Sequence, residues 1–316
     1  MKKLPDCFEP YQVQTEPWNH LARKIIFGEE YGYGIVYLAE PFEGVQVYVN
    51  DFHSNGFACM ESIPLDIIHI NYCISGRCEV ELINDRYVYL EKEWVSVDQN
   101  TPKSDLVFSS GNYYGLEITI QKTELQKAYF DLFGINETFF QPFFSSDQGH
   151  FIGSASDDWK LLAKKIVEEL LEGIGTIEQI RFQTLQLLIG LKKGLVPLDT
   201  TKHFVTKGQR RIVKAVSAKI ESDIKEHTSI EIYAKAYGVS PSSLKKYFWE
   251  VYGQTISEYR KELQMDRAKV LLERSNLSIL DISQEVGYAN QGKFASAFKK
   301  KVGLAPIEYR RQMREI

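Results

Sequence analysis

A fourteen-residue phrase occurs twice near the C-terminus of this chain. It reads FWEVYGQTISEYRK at 248–261 and FKKKVGLAPIEYRR at 298–311. Phe248, Gly253, Glu258, Tyr259 and Arg260 recur fifty residues on as Phe298, Gly303, Glu308, Tyr309 and Arg310. A helix end and exit repeated at a fixed interval mean two copies of one supersecondary unit. Any fold for the last third of the chain must place both copies.

The residues before each phrase say what the unit is. In IEIYAKAYGVSPSSLKKYFWEVYG, 230–253, a short helix ends at Gly238, a residue that tolerates the left-handed turn closing a helix. Ser240 offers an N-cap hydroxyl, and Pro241 takes the first helical position, where its missing N–H costs nothing. Leu244, Phe248 and Val251 form the buried stripe of a second helix, and small Ala234 sits where two helices must approach closely. This spacing predicts a helix-turn-helix. ILDISQEVGYANQGKFASAFKKKVG, 279–303, repeats it. Gly287 stands for Gly238, Ser283 for Ala234 and Asn290 for the cap; Phe294, Phe298 and Val302 make the stripe, and the turn is one residue longer.

Between the copies, SEYRKELQMDRAKVLLERS can form one helix of about 19 residues. It would span roughly 28 Å at 1.5 Å per residue. Successive major-groove faces of B-DNA repeat every ~34 Å, so one rigid helix can hold two reading heads about a DNA turn apart. Through AKAYGVSPSSLKKYF, DRAKVLLERSNLSILDISQEVGY and FASAFKKKVGLAPIEYRR, residues 207–316 resemble the DNA-binding domain of the AraC/XylS transcriptional regulators. The resemblance implies double-stranded DNA as a partner, and RNA polymerase as a second if the protein activates. It assigns Ser242, Lys245 and Lys246 to base edges or the adjacent backbone. Ser243 and Trp249 complete the exposed side of the first recognition helix. Asn290, Gln291, Lys293, Ser296, Lys299 and Lys300 form that of the second. Gln291 can bond adenine in two places and lysine can reach guanine. Gly292 and Ser296 make the second face poorer in base-reading groups, so it is expected to lean on phosphate through Lys299 and Lys300.

Charge agrees with this division. Residues 202–316 hold 22 Lys and Arg against 13 Asp and Glu; residues 1–201 hold 16 against 29. A basic module on an acidic body confines a nucleic-acid surface to one part of the chain.

The rest predicts an α+β multidomain protein. Residues 1–122 carry short runs rich in Val, Ile and Tyr, among them IVYLAE, VQVYVN, DIIHINYCI, RCEVELI, RYVYL and GLEITI. Their near-even spacing predicts a β-barrel or sandwich, and ISGRCEVELIN reads as a hairpin turning at Gly76. In the family resembled, such a domain is often a cupin-like barrel holding a small effector. Trp18, Tyr37, Tyr48, His53, His69 and Trp94 are the aromatic and imidazole candidates for contacting it; nothing chooses its chemistry. Residues 123–195 shift to helical periodicity, with Leu185, Leu188 and Ile189 read as one apolar face. Those helices would cover the barrel or join two subunits as a homodimer. Residues 196–206, broken by Pro197, read as the linker to 207–316.

Catalysis is not expected. Cupin enzymes usually hold a metal with two histidines one residue apart, whereas His53 stands alone and His69-Ile70-Asn71 lacks the second. No phosphate loop or nucleophile motif stands out, so neither a metal nor a cofactor is expected. The four cysteines, Cys7, Cys59, Cys73 and Cys78, have no CxxC spacing and read as reduced buried thiols. No apolar run nears the roughly 18 residues of a membrane span, and MKKLPDCFEP is no secretory leader. A cytoplasmic protein with no membrane partner is expected.

Overall fold

The computed structural model describes residues 11, 13–28, 32–57, 66–82, 85–99, 106–144, 150–199 and 202–314. Cys7 and Cys59 lie outside them. The chain divides into two compact units, Met1–Thr206 and Lys207–Ile316.

The first unit is built on strands β1 (Gln14–Pro17), β2 (Arg23–Phe27), β3 (Tyr33–Phe42), β4 (Val45–His53), β5 (Gly56–Phe57), β6 (Ile67–Gly76) and β7 (Cys78–Leu82). These continue with β8 (Arg86–Leu90), β9 (Trp94–Asp98), β10 (Leu106–Val107), β11 (Tyr113–Gln121), β12 (His150–Ala155), β13 (Leu195–Pro197) and β14 (Val205–Thr206). Nine of them form one antiparallel sheet in the order β1-β2-β3-β4-β11-β6-β9-β12-β13. β14-β8-β7 make a three-stranded sheet, and β5 pairs with β10.

Strict alternation gives the large sheet two different faces. Val45, Val47, Val49, Ile68, Ile70, Val95, Val97, Ile118 and Ile120 point one way and are buried. Helices α1 (Ala128–Asp131), α2 (Glu137–Phe144), α3 (Asp157–Glu172) and α4 (Ile177–Gly194) cover them with Phe130, Phe140, Trp159, Ile166, Leu170, Ile180, Leu187 and Leu191. The other face packs on the small sheet through Tyr48, Phe52, Cys73, Val88, Leu90, Phe108 and Tyr113.

Several expectations are corrected. The sheet order has two ends, β1 and β13, so the described strands do not close into a barrel. ISGRCEVELIN is not a hairpin. β6 pairs with β11 and β9, and β7 pairs with β8. Gly76, at φ +84°, turns the chain from one sheet to the other, and a Cβ there would meet the Asn112 carbonyl oxygen at 2.3 Å. The expected linker, residues 196–206, contains two paired segments. β13 pairs with β12, and β14 pairs with β8, so both stay in the first unit. The helical stretch contains β12, which enters the large sheet beside β9. Its helices cover the sheet. The buried face of α4 includes Ile180, Thr184, Leu185, Leu187, Leu188 and Leu191, and Ile189 is exposed.

The second unit is helical: α5 (Lys207–Ser222), α6 (Ile230–Ala236), α7 (Pro241–Tyr252), α8 (Ile256–Arg274), α9 (Ile279–Glu285), α10 (Gln291–Val302) and α11 (Pro306–Arg314). Each boundary follows from local chemistry. Ser240 Oγ accepts from Ser243 N at 3.1 Å, and Asn290 Oδ1 from Lys293 N at 3.0 Å. Thr255 and Glu258 close a capping box at the start of α8. Gly253 and Gly303 end α7 and α10 in left-handed conformations, at φ +66° and +87°.

Candidate nucleic-acid interface

α6 with α7, and α9 with α10, are two helix-turn-helix units. Leu244, Phe248 and Val251 are fully buried under the first, and Phe294 and Phe298 under the second; Val302 is half-buried. Ala234 and Ser283 are buried at the close approaches.

The repeated Glu-Tyr-Arg is a clamp, a role the repeat alone did not disclose. Glu258 and Glu308 each accept the backbone N–H three residues earlier, at 2.8 Å from Thr255 N and Ala305 N. Arg260 donates to the Thr228 carbonyl at 3.4 Å and to the Tyr233 hydroxyl, and Arg310 to the Leu277 carbonyl at 2.6 Å. Thr228 and Leu277 each immediately precede the N-cap of the first helix of their own unit. Tyr259 donates to Glu221 on α5, and Tyr309 to Glu273 on α8 at 2.5 Å. The true repeat is therefore a trihelical unit closed by a fourth helix. α8 closes the first copy and opens the second, so the two heads are coupled through one continuous helix of 19 residues. Lys301 on α10 also pairs with Glu262 on α8 at 2.6 Å.

On α7, Ser242, Lys245, Lys246 and Trp249 are exposed, opposite the buried stripe. Ser243 is half-buried and, like Ser242, lies 2.9 Å from the capping Ser240 hydroxyl. On α10, Gln291, Lys293, Ser296, Lys299 and Lys300 share the exposed side, with Asn290 exposed at its start and its side-chain oxygen engaged in capping. The sequence-predicted residues thus collect on the outward faces of two second helices, each rich in lysine and free of carboxylate except half-buried Glu250. Such faces suit a polyanion.

The effector candidates scatter. Tyr48, His69 and Trp94 lie on the sheet face that meets the small sheet. Tyr37 packs toward the helical side, against Trp18 at 5.1 Å. His53 is exposed at the end of β4, with Nε2 3.2 Å from Asp51. Around His69 the sheet carries groups the sequence reading overlooked. Nδ1 of His69 lies 3.1 Å from Asp98 Oδ2, and Nε2 lies 3.0 Å from Glu117 Oε1. Asn50 donates to the other Glu117 oxygen at 2.9 Å, Tyr113 donates to Asn71, and Thr119 donates to Gln46 at 2.8 Å. His150, 3.7 Å from Asp98, ends the row. Gln46, Thr119, His69, Asp98 and His150 are direct partners across five adjacent strands. Burial pushes the imidazole down, but Asp98 and Glu117 outweigh it and hold His69 well above its ordinary value of 6.5. Burial would raise Asp98; His69 and His150 outweigh it and hold Asp98 well below 3.8. Polar residues alternating with Ile68, Ile70, Val95, Val97, Ile118 and Ile120 were the available signal.

Among the described residues no cluster of three or more His, Cys, Asp or Glu is arranged to hold a metal ion, and no helix is long and apolar enough to cross a membrane. Cys73 and Cys78 are free and buried, and burial raises the Cys73 thiol to about 12, so it stays neutral and unreactive.

Two coupled helix-turn-helix units on a shared helix define a two-headed helix-turn-helix protein. Residues 233–312 match the family model of a helix-turn-helix domain. Regulatory protein SoxS of Escherichia coli is 28% identical over 104 residues, 33% of this chain and 97% of SoxS. The virulence regulon transcriptional activator VirF of Yersinia enterocolitica is 24% identical over 135 residues, 42% of this chain and 48% of VirF. The chain thus spans about half of VirF and nearly all of SoxS. The solved structure of unsaturated fatty acid-bound ToxT from Vibrio cholerae is 14% identical, covers 88% of this chain and 98% of ToxT, and has a TM-score of 0.30. The C-terminal unit is an AraC-type helix-turn-helix domain.

Proposed function

We propose that the protein is a sequence-specific transcription regulator that sets α7 and α10 into two successive major grooves of double-stranded DNA. The observation that carries this is the pair of similarly clamped, lysine-bearing second helices on the single helix α8. Its length, roughly 28 Å, suits heads one DNA turn apart. In this reading Ser242, Ser243, Lys245, Lys246 and Trp249 face DNA from the first head. Asn290, Gln291, Lys293, Ser296, Lys299 and Lys300 do so from the second, which leans on phosphate. The first unit senses a small molecule on the polar sheet face of Tyr48, His69 and Trp94. Effector binding changes how DNA is held through differential affinity for two states. RNA polymerase is a partner if the protein activates, and the cytoplasm is its compartment.

A second reading keeps the DNA binding and makes the first unit a dimerisation module without a ligand. Phe182 and Ile189, exposed and seven residues apart on α4, favour it.

Selection of genomic fragments with the full-length protein at about 0.15 M salt, the physiological ionic strength, tests the proposal. Enriched sites should hold two short blocks about one helical turn apart, and paired copies of the site point to a dimer. No enrichment in the presence or absence of cell metabolite extract would refute it.

A further inference from the structure

The exposed side of α7 is polar except at one position. Ser242, Lys245 and Lys246 precede Trp249, whose indole is 51% exposed. Among the described residues Trp249 has no ring partner, no cation over it and no hydrogen bond at Nε1. It does not pack against α8 as a core residue would; the aromatic contacts between α7 and the start of α8 are made by Phe248 and Tyr252 with Tyr259. The repeat supplies an internal comparison. Phe248 corresponds to Phe298, so Trp249 corresponds to Lys299. Where the second head carries a cation suited to phosphate, the first carries a large apolar plate flanked by two lysines.

We propose that Trp249 is a specificity residue of the first head, its indole lying against the C5 methyl of a thymine and selecting T at one position of the site. This rests on the DNA-binding reading above. Thymine's methyl is the one apolar group that a base pair presents in the major groove. Long helical side chains lean back toward the helix N-terminus. The indole therefore covers the turn of Lys245 and Lys246, toward the end of a recognition helix that reaches base edges. Lysine at the same place in the second head gives affinity without sequence.

Uracil differs from thymine only by that methyl, so it probes the contact with the protein unchanged. A duplex selected by the full-length protein is remade with deoxyuridine at each thymine of the first head's block in turn. At one position the wild type should lose about fourfold in affinity, the worth of burying one methyl group. Trp249→Ala should bind the thymine and uracil duplexes alike, so the methyl effect and the substitution are coupled. Trp249→Lys, which copies the second head, should also be blind to the methyl while steepening the salt dependence. If no thymine in the block shows a methyl effect that depends on Trp249, or if Trp249→Ala weakens both duplexes while the methyl effect persists, the proposal is overturned. If no specific duplex is selected at all, the DNA-binding reading fails with it.

Discussion

The two turn glycines are formally equivalent and energetically different, which makes them a sharp test of the C-terminal unit. Gly238 has φ +67°, and a Cβ built on it meets nothing within 4 Å. Gly287 has φ +84°, and its Cβ would lie 2.9 Å from Lys225 Cα, 3.2 Å from Lys225 O and 3.1 Å from Gln264 Nε2. Neither neighbour yields easily, since Lys225 Cα and O are backbone and Gln264 donates to the Ile224 carbonyl at 3.0 Å. Gly238→Ala then costs only the left-handed backbone penalty, about 1 kcal/mol once the stiffer unfolded chain is counted. Gly287→Ala adds the displacement of a packed backbone, about 2 kcal/mol more. Asparagine separates the two causes, because it tolerates the left-handed region but still has a Cβ. Gly238→Asn should be near neutral, and Gly287→Asn should keep the steric cost of about 2 kcal/mol. Hydrogen exchange of the α6–α7 and α9–α10 segments in the full-length protein reads each loss locally. Equal losses for the two alanine variants, or full recovery by Gly287→Asn, would show that the Lys225 contact is not what holds that turn.

Three further outcomes are expected. Lys299→Ala should weaken binding to all DNA sites alike and lower the salt slope by about 0.9, whereas Lys245→Ala should relax selection at a few base pairs; binding titrations at several salt concentrations decide. Tyr259→Phe and Tyr309→Phe should each destabilise by about 1 kcal/mol and add in the double variant, as denaturant midpoints would report. Asp98→Asn removes a carboxylate from half-buried His69 and should cost roughly 3 kcal/mol at neutral pH. Asp98 is held below 3.8, so its contribution is present above that value and lost as pH falls through the depressed one. His69 is held above 6.5, so its contribution is full below 6.5 and lost as pH rises through the raised one. The gap between wild type and variant in urea denaturation should thus narrow toward both extremes; a gap independent of pH would remove the network from the account of stability.

The C-terminal unit was legible because its determinants are local. Ser240, Asn290 and Thr255 cap backbone three residues away, and Gly253 and Gly303 end helices with their own φ. The stripe of Leu244, Phe248 and Val251 repeats at helical spacing, so the sequence alone determines elements, turns and outward faces. What Glu-Tyr-Arg does was hidden, because Arg260 and Arg310 act on carbonyls 32 and 33 residues earlier. In the first unit almost every decision is of this distant kind. Alternation showed that strands exist, but β6 finds β11 and β9 rather than adjacent β7, and β12 joins the sheet from within a helical stretch. Val205 and Thr206 looked like linker until β8 paired with them. The row that surrounds His69 comes from five strands of that order, so no window of sequence holds it. A helix closes its hydrogen bonds within four residues and can be read where it lies; a strand's partner, and the face it thereby shares, is chosen only when the tertiary structure brings distant segments together.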